Sequence, residues 1–182
     1  MKKHGPWTIK KTRRVYRGEV MEVFEDEVIK PGGEEGVYST IRLKDGASVL
    51  ALDEEEFVYL VKEFRYALGR EDIAIVGGAI DEGEEPIEAA RRELLEELGI
   101  EAEDWTELGR THHSTSQVDS SSTMFLARTL RFTEKDEDSG EVLETVKMPF
   151  AEAVKKALTG EFTHATSCVL ILRAQHYLQK NS

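Results

Sequence analysis

Residues 77–100, GGAIDEGEEPIEAARRELLEELGI, constrain the fold of this chain more than any other stretch. Pro86 stands where a helix begins and Gly99 where one ends, the asymmetry that helices favour. Between them Ile87, Ala90, Leu94 and Leu98 recur at helical spacing, which predicts a helix over 86–98 with that stripe against a core. Its last two turns carry Glu93, Glu96 and Glu97. A helix C-terminus favours cations, so three acids there repel both the dipole and one another. On a wheel turning about 100° per residue, with Leu94 at 0°, Glu97 falls at about −60°, Glu93 at about −100° and Glu96 at about −160°. All three share one flank beside the core face. Carboxylates grouped in this way are oxygen ligands for a hard cation such as Mg²⁺ or Mn²⁺, and coordination would turn their repulsion into attraction. Arg92 reaches Glu96 at i+4 and would hold it from behind. A solvated acidic face needs no metal, and the acids alone do not choose between the two.

The rest of the chain supplies the frame. Residues 7–45 read as extended structure punctuated by glycine turns at 32–33 and 45–46. Segments 48–53 and 57–66 read as a hairpin entering a core. Further strands are expected at 105–112, 122–131 and 142–149, helices at 150–158 and 165–179, and a loop over the acidic 133–141. Strands mixed with three helices predict an α/β layered architecture with a mixed sheet. The expected division is an N-terminal antiparallel β element, 1–45, and a main domain, 46–182. At 182 residues the chain can bury a substantial core. Its formal charge, 24 − 36 = −12, argues against nucleic acid or an anionic membrane as partner. It also opposes an anionic substrate, unless a cation stands between the two. The single cysteine, Cys168, forms no internal disulfide and reads as a buried thiol of a reducing compartment. With no apolar leader and no run of about 20 apolar residues, the expectation is a cytoplasmic protein.

Gly78, Glu84, Arg92, Glu93, Leu94, Glu96, Glu97, Gly99 and Ile100 together spell G-x5-E-x7-R-E-U-x-E-E-x-G-U, with U aliphatic. Seven identities at about one in fifteen each, with two aliphatic positions, should arise about once in ten million such chains, and glutamate richness weakens this by about a hundredfold. On that signature the chain is identified as a member of the Nudix hydrolases. The resemblance implies an α/β/α sandwich in which the signature forms a loop-helix-loop holding divalent metal against a pyrophosphate. It implies Glu93 and Glu97 as principal metal ligands, Glu96 assisting, and the Gly77 carbonyl as a further ligand. Gly78 would permit the tight loop and Glu84 would brace it, with Glu96 and Arg92 in the catalytic machinery. A base must take the attacking water's proton. Similar enzymes often draw it from a late acidic loop, here DEDSGEVLETV, with Glu141 the first choice and Glu137 the second.

The N-terminal strands, VKEFRYALG (61–69) and TGEFTHATSCVLILRAQHYL (159–178) look like the branch that hydrolyses ADP-ribose and other nucleoside diphosphate sugars. Similar proteins are homodimers whose N-terminal strands complete the partner's nucleoside pocket. Trp7 is then a candidate stacking residue and Arg65 a phosphate or nucleoside contact. Two positions depart from the branch: Ala74 stands where a base-reading glutamate is usual, and Thr115 aligns where a proline is frequent. GDP-mannose or another NDP-hexose therefore joins ADP-ribose as a candidate substrate, and His112, His113 and Gln117 could serve sugar hydroxyls. A non-catalytic nucleotide-sugar sensor is the rival from another class, and an NADH or CoA pyrophosphatase the rival within the enzymes. The NADH enzymes commonly add a zinc segment, which one cysteine cannot supply.

Overall fold

The computed structural model describes residues 1–133 and 143–181. It forms two compact units, residues 1–45 with 112–121 and residues 46–111 with 122–182.

The first unit opens with β1 (Lys2–His4), β2 (Trp7–Arg17), β3 (Met21–Ile29) and β4 (Glu35–Leu43), joined as antiparallel neighbours. Both faces of these strands meet water over much of their length, so charge does much of the matching across them. Arg13 pairs with Glu25 at 2.6 Å and Arg14 with Glu22 at 2.6 Å. Such exposed pairs contribute at most about 1 kcal/mol each, and they set register more than stability.

The second unit begins with β5 (Gly46–Leu52), β6 (Phe57–Arg65), β7 (Arg70–Ala74) and β8 (Val76–Ala79), followed by α1 (Pro86–Leu98) and β9 (Ile100–His112). The chain then returns to the first unit, where β10 (Val118–Asp119) lies parallel to β4. Back in the second unit come β11 (Ser121–Phe132), β12 (Glu144–Pro149), α2 (Phe150–Thr159) and α3 (Ala165–Asn181). The main sheet runs β12-β6-β5-β11-β9, with β5 antiparallel to β6 and parallel to β11.

Alternation along β5 explains the layers. Leu50 and Leu52 point to one face and pack with Leu60, Leu126, Leu170 and Ile171, beneath α2 and α3. Val49 and Ala51 point to the other and pack with Ala90, Leu94 and Phe125, beneath α1. The sheet is thus covered on both faces, the α/β/α sandwich expected. Where β5 turns into β6, Asp53 Oδ1 accepts the Glu55 and Phe57 amides at 3.0 and 2.8 Å, and Oδ2 accepts the Tyr59 hydroxyl at 2.8 Å. Lys147 completes this turn at 3.3 Å from Asp53.

The elements differ from the expected ones in a few places. β9 starts at Ile100, directly after the helix-ending Gly99, because Glu101 and Glu103 face water while Ile100 enters the core. In α1 Ala89 is buried along with Ala90, Leu94 and Leu98, whereas Ile87 is only half-buried. Cys168 is half-buried rather than enclosed: its thiol faces the Phe162 carbonyl at 3.4 Å, and burial pushes its pKa up.

Candidate active site

α1 is built to bring acids up against a bare stretch of backbone. Its Pro86 start suits a position whose N–H has no helical partner. Its end is turned by Gly99 at φ 64°, whose N–H returns to Leu94 and Leu95, while the Gly99 carbonyl accepts the Thr133 amide at 2.7 Å. The left-handed conformation there suits glycine. Facing the helix, β8 contributes Gly78. A Cβ on Gly78 would fall on the Glu93 carboxylate, so only glycine lets strand and helix approach this closely.

Arg92 organises the acids. Its Nε donates to Glu84 Oε1 at 3.0 Å and its Nη2 to Glu84 Oε2 at 3.2 Å, a two-point grip on one carboxylate. Nη1 donates to Glu93 Oε1 at 2.7 Å and to Glu96 Oε2 at 3.2 Å. Nη2 also reaches the Ala79 carbonyl at 3.0 Å, and Glu84 Oε2 accepts the Asp81 amide at 2.9 Å. One guanidinium therefore ties together the loop before the helix, the helix itself and β8. Hydrogen bonds donated to Glu84 raise the Arg92 pKa despite partial burial, and Glu93 adds to the rise. Glu84 is held below the usual carboxylate range, first by Arg92 and then by the Asp81 amide.

Glu97 is half-buried on the same helix, with Oε2 shielded from solvent. Among the described residues no three His, Cys, Asp or Glu side chains already converge as a metal cluster, and Arg92 engages both Glu93 and Glu96. The donor set nonetheless fits a hard divalent ion: carboxylate and backbone oxygens only, grouped on one helix flank, with the side-chain-free Gly78 making the space that Glu93 occupies. Gly77 pairs with Ser48 in the β5–β8 ladder.

The other sequence-predicted residues lie elsewhere. Trp7 and Gln117 both line an open cleft of about 750 Å³ within the first unit. Trp7 meets Tyr38 edge-on, centroids 5.3 Å apart at 72°, and the Gln117 carbonyl accepts the Ile41 amide at 2.8 Å. His112 and Thr115 line the same cleft. Sequence reasoning missed Tyr38 and Arg42 here, although the alternation of β4 puts both on one face with Thr40. Arg65 belongs to the second unit, at the end of β6, where it pairs with Glu63 at 2.8 Å. Ala74, at the end of β7, is 2% exposed. Glu137 and Glu141 lie outside the described residues.

The NUDIX domain family matches residues 42–167. The chain belongs to that family. As a Nudix hydrolase it shares a fold with a crystal structure of an ADP compounds hydrolase, at a TM-score of 0.85 and 24% identity, covering 100% of this chain and 99% of that one. Its curated relatives include the ADP-ribose pyrophosphatase of Bacillus subtilis, 29% identical over 91% of this chain and 89% of the relative. The ADP compounds hydrolase NudE of Escherichia coli is 27% identical over 94% of this chain and 93% of its own. Nudix hydrolases are generally dependent on divalent metal. Among the described residues no helix is long and apolar enough to cross a membrane.

Proposed function

We propose that this Nudix hydrolase cleaves the pyrophosphate bond of an ADP-sugar, ADP-ribose first among them, to AMP and a sugar phosphate. The observation that carries the reading is the Arg92 hub, which gathers Glu84, Glu93 and Glu96 against the bare backbone of Gly78. Relatives alike over nine tenths of the chain, named for ADP-ribose and ADP compounds, support the choice of substrate. Glu93, Glu96, Glu97 and the Gly77 carbonyl would hold Mg²⁺, with Mn²⁺ as a substitute. A divalent ion held there would supply charge neutralisation for the pyrophosphate and lower the pKa of an attacking water. The side chains set the geometry: Arg92 keeps the carboxylates spaced, and Glu84 ties the loop to the helix. Glu141, or failing it Glu137, would take the water's proton. The same reading includes a homodimer whose N-terminal strands complete the partner's nucleoside pocket, with Trp7 and Gln117 as base and sugar contacts and Arg65 as a phosphate or nucleoside contact. Ala74 is buried in the sheet, so reading of the base falls to other residues.

Phosphate release through a coupled phosphatase tests this on ADP-ribose, ADP-glucose, UDP-glucose, GDP-mannose, NADH and CoA with Mg²⁺. The ADP-sugars should lead. A clear lead for GDP-mannose would show that Ala74 and Thr115 mark a changed pocket, and silence with intact metal binding would favour the sensor. Glu97→Gln should lose at least about a hundredfold in kcat while staying folded, because a ligand charge disappears at constant volume. Near-wild-type turnover at saturating Mg²⁺ would reject the metal role of Glu97.

A further inference from the structure

Between β7 and β8 the chain changes partner, from β6 to β5, and Ile75 sits at the change. The fork exists because β5 and β6 pair only at Ala51–Tyr59 and Leu52–Val58 before they diverge. The Ile75 side chain is buried in the core that α3 covers. Its N–H, at a position that neither ladder pairs, donates to Ser167 Oγ at 3.1 Å. Ser167 stands in the first turn of α3 and is 1% exposed. Its Oγ lies 2.8 Å from His164 Nδ1. The Ser167 hydroxyl oxygen accepts the Ile75 N–H, and it donates to or accepts from the imidazole according to the His164 tautomer.

The strand that begins after Ile75 makes this bond consequential. Two of the four residues of β8 are glycine, so the strand has few side chains to wedge it in place. Its position depends on backbone pairing with β5 and on where it starts. The same strand is the surface against which Glu93 is seated at Gly78, and Arg92 takes hold of it at the Ala79 carbonyl.

We propose that Ser167 is a positioning residue of the active site: its hydroxyl fixes the Ile75 amide and so the seat of β8 under Glu93 and Arg92, which sets the α1 carboxylates for a divalent cation. The inference rests on the metal reading of those carboxylates. The competing role is purely structural, in which Ser167 satisfies a buried amide and affects stability alone.

Binding of Mn²⁺ to the full-length protein without substrate, followed by loss of the free-ion EPR signal, separates the two roles. Ser167→Ala should weaken Mn²⁺ roughly tenfold, the usual scale for a residue supporting ligands from behind. Ser167→Cys keeps the bulk but offers only a weak acceptor, and should move the same way even where the alanine variant does not fold. Ser167→Thr keeps the oxygen and should stay near the wild type. Val154→Ala, a core truncation on α2, should lower Tm and leave Mn²⁺ affinity intact. Wild-type affinity in the folded alanine or cysteine variants would overturn the proposal, whatever their Tm. A wild-type protein that takes up no Mn²⁺ would overturn it together with the metal reading. Weakened Mn²⁺ binding in the variants, with no pyrophosphate compound hydrolysed by any form, would support Ser167 while rejecting the proposed substrate.

Discussion

At the scale of single residues, the chain uses carboxylates in two opposite ways. The α1 acids sit where they repel, restrained by Arg92. Asp53 is instead satisfied at every point by amides, a hydroxyl and an ammonium. Burial pushes the Asp53 pKa up, but the Phe57 amide, the Tyr59 hydroxyl and Lys147 more than offset this and hold it low. A depressed folded value means that the unfolded chain binds the proton more readily. The stabilisation is therefore whole above about pH 4, the ordinary carboxylate value, and drains away as pH falls through the folded value. Asp53→Asn should lose roughly 2 kcal/mol near neutral pH through weakened bonds to a formerly charged acceptor. That corresponds to a Tm lower by about 4–8 °C for a chain of this size. Melting curves recorded down the acid range should converge for the two proteins; a constant gap would show that the Asp53 charge is not what the turn depends on. Arg92, Glu93, Leu94, Glu96 and Glu97 were legible in the sequence because one helix fixes their spacing, whereas Gly78 and Glu84, which precede that helix, were legible only as part of the family pattern. The bonds of Arg92 to Glu84 and Ala79 were not readable from periodicity, since they cross from helix to loop and strand.

At the scale of elements, α1 was readable almost to the residue, while β7 and β8 left no recognisable pattern. A helix of thirteen residues shows its apolar stripe several times over, with a proline and a glycine to bound it. Strands of five and four residues, one of them half glycine, repeat too few times to alternate visibly. Their existence follows from the fork between β5 and β6, a tertiary fact. The end of α1 offers a sharp test of the local reasoning. Gly99 holds φ at 64° and is buried, so Gly99→Ala places a Cβ in a conformation that costs about 1–2 kcal/mol. Tm should fall by about 2–8 °C, and the loss should appear in thermal melts monitored by far-UV circular dichroism. An unchanged Tm would mean that the turn into β9 relaxes without strain.

At the scale of the whole molecule, a break in the chain near residue 45 was legible from the neighbouring glycine, although Gly46 itself opens β5 and the break falls at 44–45. The return of residues 112–121 to the first unit was not, because β10 offers two residues of parallel pairing and no period. That return also shapes a prediction. Deleting residues 1–45 removes β4, and with it the Tyr38 bond to the Ser116 carbonyl and the Arg42 bridge to Asp119. The shortened protein should elute as a monomer and lose ADP-ribose hydrolysis while still binding Mn²⁺. An active monomer in sedimentation and turnover measurements would reject the role proposed for the first unit in dimerisation and substrate binding. The same arrangement has a bearing on ancestry. A unit assembled from two distant stretches of gene cannot be gained, lost or transplanted by a single recombination at its border. Swapping only the leading segment between related enzymes would give chimaeras whose borrowed strands meet a foreign loop, so change in this part of the molecule should proceed by paired substitutions on both stretches.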